Sequence, residues 1–179
     1  MNERSLSLAD NIPALRGLSA TERKQVLEIA DERSFAPGQK IIEQGQSSQH
    51  LWIVLEGKCE VVRDSTNDGP VRLAEMEPHQ LFGEVSFFSP APHSADVVAR
   101  TPVRLLCIPR ARYEALLNQG VGAAYKLAYN VLESASGRLR RMNEWLAELA
   151  SQHRAEPNGE PVSPEWHEFR KKLFNEWNL

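Results

Sequence analysis

Leu81-Phe82-Gly83-Glu84-Val85-Ser86-Phe87-Phe88-Ser89-Pro90-Ala91-Pro92-His93-Ser94-Ala95-Asp96-Val97-Val98-Ala99 is the stretch that decides the fold. An aromatic-Gly-Glu tripeptide opens a short apolar segment, a proline-rich turn follows, and Ala95, Val97 and Ala99 alternate as in a strand with one buried face. The pattern predicts a strand, a turn, a short helix, a loop and a second strand. A glycine at the entry to a helix lets the backbone come close to a ligand, and the first helical N–H groups have no intrahelical partner. Such a terminus favours an anion. Glu84, set among those donors, is suited instead to accept hydrogen bonds from a sugar hydroxyl. A phosphate and a ribose side by side satisfy both.

Outward from this stretch, short β-type runs are separated by turn residues: Gln39 to Glu43, Leu51 to Leu55, Cys59 to Arg63, Val71 to Met76, Ala95 to Ala99 and Val103 to Ile108. That spacing predicts an antiparallel barrel or sandwich. Gly45 and Gly57 sit where turns are needed, and Arg33-Ser34-Phe35-Ala36-Pro37-Gly38 reads as a strand end and a Pro-Gly turn. Upstream, Leu6 to Ala30 has helical periodicity broken at Gly17, with a capping box in Ser19-Ala20-Thr21-Glu22.

In these residues the sequence resembles the cyclic-nucleotide-binding domain family, the module of bacterial catabolite-activator-type regulators and of protein kinase regulatory subunits. Phe82, Gly83, Glu84, Pro92, Ala95, Val97 and Ala99 match the family's phosphate cassette, and the Pro37-Gly38, Gly45 and Leu51-to-Gly57 segments fall in the order of its β-roll. The resemblance covers about residues 6 to 150 and implies an α+β, mainly β fold. Its parts are an eight-stranded antiparallel roll, N-terminal helices, a short cassette helix and a long C-terminal helix. It also implies a ligand, cyclic AMP or cyclic GMP, held by Phe82, Gly83, Glu84, Val85, Ser86, His93 and Ser94. Two positions depart from the family: His93 replaces the arginine that holds the phosphate, and Asp96 replaces a threonine. No cofactor or metal is expected.

Past Arg110 the pattern is helical, first over Ala111 to Asn118 and then from Val121. Val121, Tyr125, Ala128, Leu132, Ala135, Leu139, Met142, Leu146 and Leu149 recur at alternating spacings of four and three, a coiled-coil-like seam, with Leu127, Val131 and Trp145 beside it. A helix of that length runs about 40 Å, longer than a small roll needs as cover. The seam therefore predicts a homodimer, with intramolecular packing as the other use. By the family's register Arg138 falls where the long helix closes over the base, as a cation–π partner or simply a solvated arginine.

The organisation expected is a helical segment over 1–34, the roll over 35–109, helices over 110–153, a linker over 154–162 and an amphipathic aromatic tail over 163–179. Trp166, Phe169, Leu173 and Trp177 lie along one face of that tail, which docks on its own roll, on the other protomer or on a different protein.

With 179 residues, net charge −3 and 41% hydrophobic residues, the chain reads as one ordinary soluble domain with a helical appendage. The acidic balance gives no support to nucleic-acid binding, and about 30 residues after Leu149 hold no helix-turn-helix unit. No signal peptide or membrane span is expected. Cys59 and Cys107 fall in apolar runs, as reduced core thiols of a cytoplasmic protein do. No catalytic motif emerges, and His50 and His79 read as loop residues. Two functions follow: a cytoplasmic sensor that binds a cyclic nucleotide or related phosphorylated ligand weakly, through His93, or a degenerate scaffold acting by dimerisation and its tail.

Overall fold

The computed structural model describes residues 11–65 and 69–152. The linker, the aromatic tail and the first turn of the N-terminal helix predicted from Leu6 lie outside the described residues. The chain divides into two compact units, Met1–Ala135 and Ser136–Leu179.

In the first unit a 3-10 turn, Pro13–Leu15, precedes helix α1, Ala20–Glu28. Eight strands follow: β1 Asp31–Phe35, β2 Lys40–Ile42, β3 His50–Glu56, β4 Cys59–Ser65, β5 Gly69–Met76, β6 Leu81–Phe82, β7 Asp96–Ala99 and β8 Val103–Pro109. Helix α2, Glu84–Phe88, lies between β6 and β7, α3 spans Arg110–Asn118, and α4, Gly122–Gln152, runs on into the second unit. All pairings are antiparallel, in two four-stranded sheets ordered β1-β8-β3-β6 and β2-β7-β4-β5. This is the expected α+β roll.

Strand β3 is the shared wall of two cores. Leu51, Ile53 and Leu55 pack on one face with Leu27, Leu106, Ile108, Leu127 and Val131, the helical side. Trp52 and Val54 face the other way, into the space between the sheets with Ile42, Phe82, Val97 and Leu105. Alternation of side chains by strand geometry makes this division automatic, and burial on both faces explains the unbroken apolar run of Leu51 to Leu55.

The N-terminal elements are fastened to α4 by polar contacts. Asn130 is buried, and its side-chain amide donates to the carbonyls of Ala14 at 3.0 Å and Arg16 at 2.8 Å. The predicted capping box is formed: the Glu22 N–H donates to Ser19 Oγ and the Ser19 N–H to Glu22 Oε2. Lys126 Nζ lies 2.8 Å from the same carboxylate oxygen. That ammonium, with the Ser19 contacts, lowers the Glu22 carboxyl to about 2.

Three expectations need correction. Residues 31–34 are not part of the helical segment: Asp31–Phe35 is a strand paired along β8, of which only the end at Arg33-Ser34-Phe35 shows in the pattern because the strand is mostly exposed. His50 is no loop residue but the half-buried start of β3, tilted against Trp52 at 5.8 Å. Along α4 the seam residues do not share one environment. Val121 and Ala128 pack against the core beside buried Leu127 and Val131, while Tyr125 and Leu132 are exposed. The straight 3.6-residue period rotates them apart. In the second unit Leu139, Met142 and Trp145 are exposed. Among the described residues no helix is long and apolar enough to cross a membrane.

Gly57 closes the β3–β4 turn at φ +82°, and a Cβ there would stand 2.2 Å from the Pro102 carbonyl oxygen. Backbone cannot swing aside as a side chain can. Gly57→Ala is therefore expected to cost at least about 2 kcal/mol, read as a lower urea midpoint with an unchanged m-value.

Candidate functional site

The Leu81–Ala99 stretch folds as its pattern predicts, and the reason begins at Gly83. This residue has φ +81°, and a Cβ on it would lie 2.6 Å from the His50 carbonyl oxygen and 3.2 Å from Trp52 Cδ1. Only glycine brings the cassette this close to β3. Phe82, just before it, is buried and stacked on Trp52 at 6.2 Å.

Beyond Gly83, α2 turns its two faces differently. Phe87 is buried and makes ring contacts with Phe88 at 4.9 Å and with Tyr113 of α3 at 5.2 Å. Arg110 closes the end of α2, donating to the Phe87 carbonyl at 2.8 Å while its Nε pairs with Glu114 at 2.6 Å. Val85 is exposed, Glu84 half-buried and Ser86 buried.

His93 is buried, 9% exposed, and both of its ring nitrogens are engaged. Nε2 is 2.7 Å from Ser48 Oγ and Nδ1 is 3.2 Å from Ser86 Oγ. The Ser86 hydroxyl donates to the Gly83 carbonyl at 3.2 Å. Its lone pairs are then what it offers His93, so Nδ1 carries the proton and Nε2 accepts from Ser48. Burial lowers the His93 pKa below its ordinary value, which keeps this neutral tautomer.

The backbone joins the same two segments. The His93 N–H donates to the Gln46 carbonyl at 2.9 Å, and the Gly45 N–H donates to the His93 carbonyl at 2.9 Å. Asp96 is buried, accepting from the Gln44 N–H at 2.7 Å and pairing with Lys40 Nζ at 2.7 Å. Burial by itself would raise its pKa, but Lys40 and the Gln44 amide outweigh that and hold the carboxyl below its usual range. His93 and Asp96 thus both serve the Gln44–Ser48 loop.

Of the residues singled out in the sequence, Phe82, Gly83, Glu84, Val85, Ser86, His93 and Ser94 lie on this one stretch, with Ser94 exposed. Arg138 belongs to the second unit. Sequence reasoning missed Ser48, Gln44, Gln46 and the His50 carbonyl. The polar run Gln44-Gly45-Gln46-Ser47-Ser48 is visible as a loop, but which serine meets His93 depends on three-dimensional register.

Residues 32–120 match the model of the family described as cyclic nucleotide-binding domain. The chain is similar to the catabolite activator protein of Thermus thermophilus, at 29% identity and TM-score 0.69, over 79% of this chain and 64% of that one. It is also similar to the regulatory subunit of a cAMP-independent protein kinase A from Trypanosoma cruzi, in a structure bound to guanosine, at 28% identity and TM-score 0.60, over 75% of this chain and 50% of that one. A cyclic nucleotide-binding domain from Methylobacillus flagellatus shares the fold at TM-score 0.73 and 20% identity, over 89% of this chain and 86% of that one. Residues 32–120 thus form a cyclic nucleotide-binding domain. It spans about two thirds of the activator protein and half of the kinase subunit.

Asp96→Asn keeps an oxygen for the Gln44 amide and removes the charge facing Lys40. The expected loss is about 1–2 kcal/mol at neutral pH, discounted because Lys40 is half exposed. A lowered folded pKa contributes stability above the unfolded value near 3.9 and loses it as pH falls through the folded one. The gap between wild type and variant should accordingly close between about pH 5 and pH 2 in urea titrations.

Proposed function

We propose that this chain is a cytoplasmic, homodimeric regulatory sensor whose roll binds a cyclic nucleotide or another phosphorylated ribose ligand, with weakened affinity for the phosphate. The observation that carries this reading is the cassette itself: Gly83 seated against the His50 carbonyl, with Glu84 next in the chain. Glu84 is the ribose acceptor in this reading, Val85 and Ser86 line the cassette, and Ser94 offers a hydroxyl. The guanosine in the trypanosomal relative supports a ribose-bearing ligand. No catalytic role is assigned, and free, buried Cys59 and Cys107, their thiols pushed up to about 11 by burial, suit a reducing compartment.

Weak affinity follows from His93. An arginine offers a permanent charge and a two-pronged donor set, and losing one partner of a buried charge pair costs about 2–5 kcal/mol, roughly 30-fold to several-thousand-fold in affinity. A bound phosphate favours the imidazolium, raising the His93 pKa above its burial-lowered free value. Binding then takes up a proton and strengthens as pH falls from about 7 toward 6 and below. His50, the nearby titratable ring, is also held neutral by burial and by Arg33. Calorimetric titration with cyclic AMP should show this rise, and His93→Arg should increase affinity and flatten the pH profile. Glu84→Ala should abolish binding.

The scaffold reading has an observation of its own, since Trp52, Phe82 and Ile42 fill the space between the sheets. Flat titrations with every cyclic nucleotide, for wild type and His93→Arg alike, would favour it.

The dimer is proposed through α4, where Tyr125, Tyr129 and Leu132 in the first unit and Leu139, Met142 and Trp145 in the second are exposed. Exposed large apolar side chains in each of these two stretches call for a partner. Leu139→Glu should convert a dimer to a monomer by light scattering at micromolar concentration, and a monomeric wild type would remove the proposal.

A further inference from the structure

We infer that, within the site assigned above, the ligand accepted at neutral pH is an uncharged ribonucleoside in preference to its cyclic monophosphate. This rests on the reading that the roll binds a ribose ligand at all, and it concerns what the cassette tolerates beside the ribose.

The argument is a count of protons. The Ser48 hydroxyl donates to His93 Nε2, His93 Nδ1–H donates to Ser86 Oγ, and the Ser86 hydroxyl donates to the Gly83 carbonyl. Each of the three side-chain hydrogens in this chain of bonds is committed, and the chain ends on a backbone acceptor. What these side chains have left to offer is lone pairs. An anion set against them would give up its water and find donors only in the first-turn amides of α2, with no cation beside them among the described residues.

The cations that touch the stretch do not repair this. Lys40 is 2.7 Å from Asp96, and Arg110 is held by Glu114 and the Phe87 carbonyl. Asp96 adds a carboxylate rather than a donor, at a position where the resemblance leads one to expect a neutral threonine. Ser94 contributes a single neutral hydroxyl, sufficient for a ribose oxygen and insufficient for a charged diester.

The hydrogen-bond chain also states when the exclusion lifts. A proton added to Nε2 makes that nitrogen a donor to Ser48, whose hydroxyl hydrogen is then released. Protonation therefore creates a cation and frees a donor in one step. The cation serves an anion far more than an uncharged ligand, so the affinity of the cyclic monophosphate rises on acidification more steeply than that of the nucleoside.

The test is calorimetry of the full chain at about pH 7.5 with each common ribonucleoside beside its own 3′,5′-cyclic monophosphate. At least one nucleoside is expected to bind at least about tenfold more tightly than its cyclic partner. His93→Arg should reverse that order, and His93→Gln, which adds no charge, should keep it. A cyclic monophosphate that binds wild type as tightly as its nucleoside overturns the inference and leaves the sensor reading standing. Silence from both ligand classes overturns the sensor reading, and this inference with it. The wild-type comparison decides even where a variant fails to fold.

Discussion

The two-sided burial of β3 is the constraint on which the rest of the structure depends. Leu51, Ile53 and Leu55 on one face and Trp52 and Val54 on the other are each at most 4% exposed. A fully buried side chain of this size contributes about 1.5–3 kcal/mol, so this one strand commits the helical layer and the roll interior together. Its pairing with β8, which is likewise buried on both sides from Leu105 to Ile108, fixes the register. A slip of one residue would exchange the faces and put Trp52 among the helices. The cassette inherits that rigidity, because Gly83 rests on the carbonyl of His50, the first residue of the same strand.

From the cassette, contacts lead on to the helices. Phe87 and Phe88 lie against Tyr113, and the Tyr113 hydroxyl donates to the Ala124 carbonyl in α4 at 3.4 Å. Arg110, at the first position of α3, holds the end of α2. A displacement of α2 by a ligand would thus be felt by α3 directly and by the first turns of α4 through one intervening ring. These are packed side chains in unbroken contact, the kind of network along which coupling between elements can travel.

Much of this was legible in the sequence, for identifiable reasons. The apolar runs Leu51 to Leu55 and Leu105 to Ile108, the turn at Gly57 and the Phe82-Gly83-Glu84 entry into a short helix are local signals, and local rules read them correctly. Of strand β1 only the end at Arg33-Ser34-Phe35 was legible, because Asp31 and Glu32 carry charges to solvent while their backbone does the pairing. The long helix misled in another way. Its four-three spacing describes a seam that a supercoil would keep in line, whereas here Leu127 and Val131, off that seam, are the residues the roll buries.

The site divides in the same manner. Gly83 and Glu84 were readable from their neighbours in sequence, but the state of His93 was not, because it is set by Ser48, 45 positions upstream, and by a hydroxyl whose own acceptor is the Gly83 carbonyl. The packing shows a neutral ring that ties the Gln44–Ser48 loop to α2 and a carboxylate, Asp96, that ties the same loop to β7. Ring and carboxylate act together as fastenings of one loop, each held by groups of the protein itself.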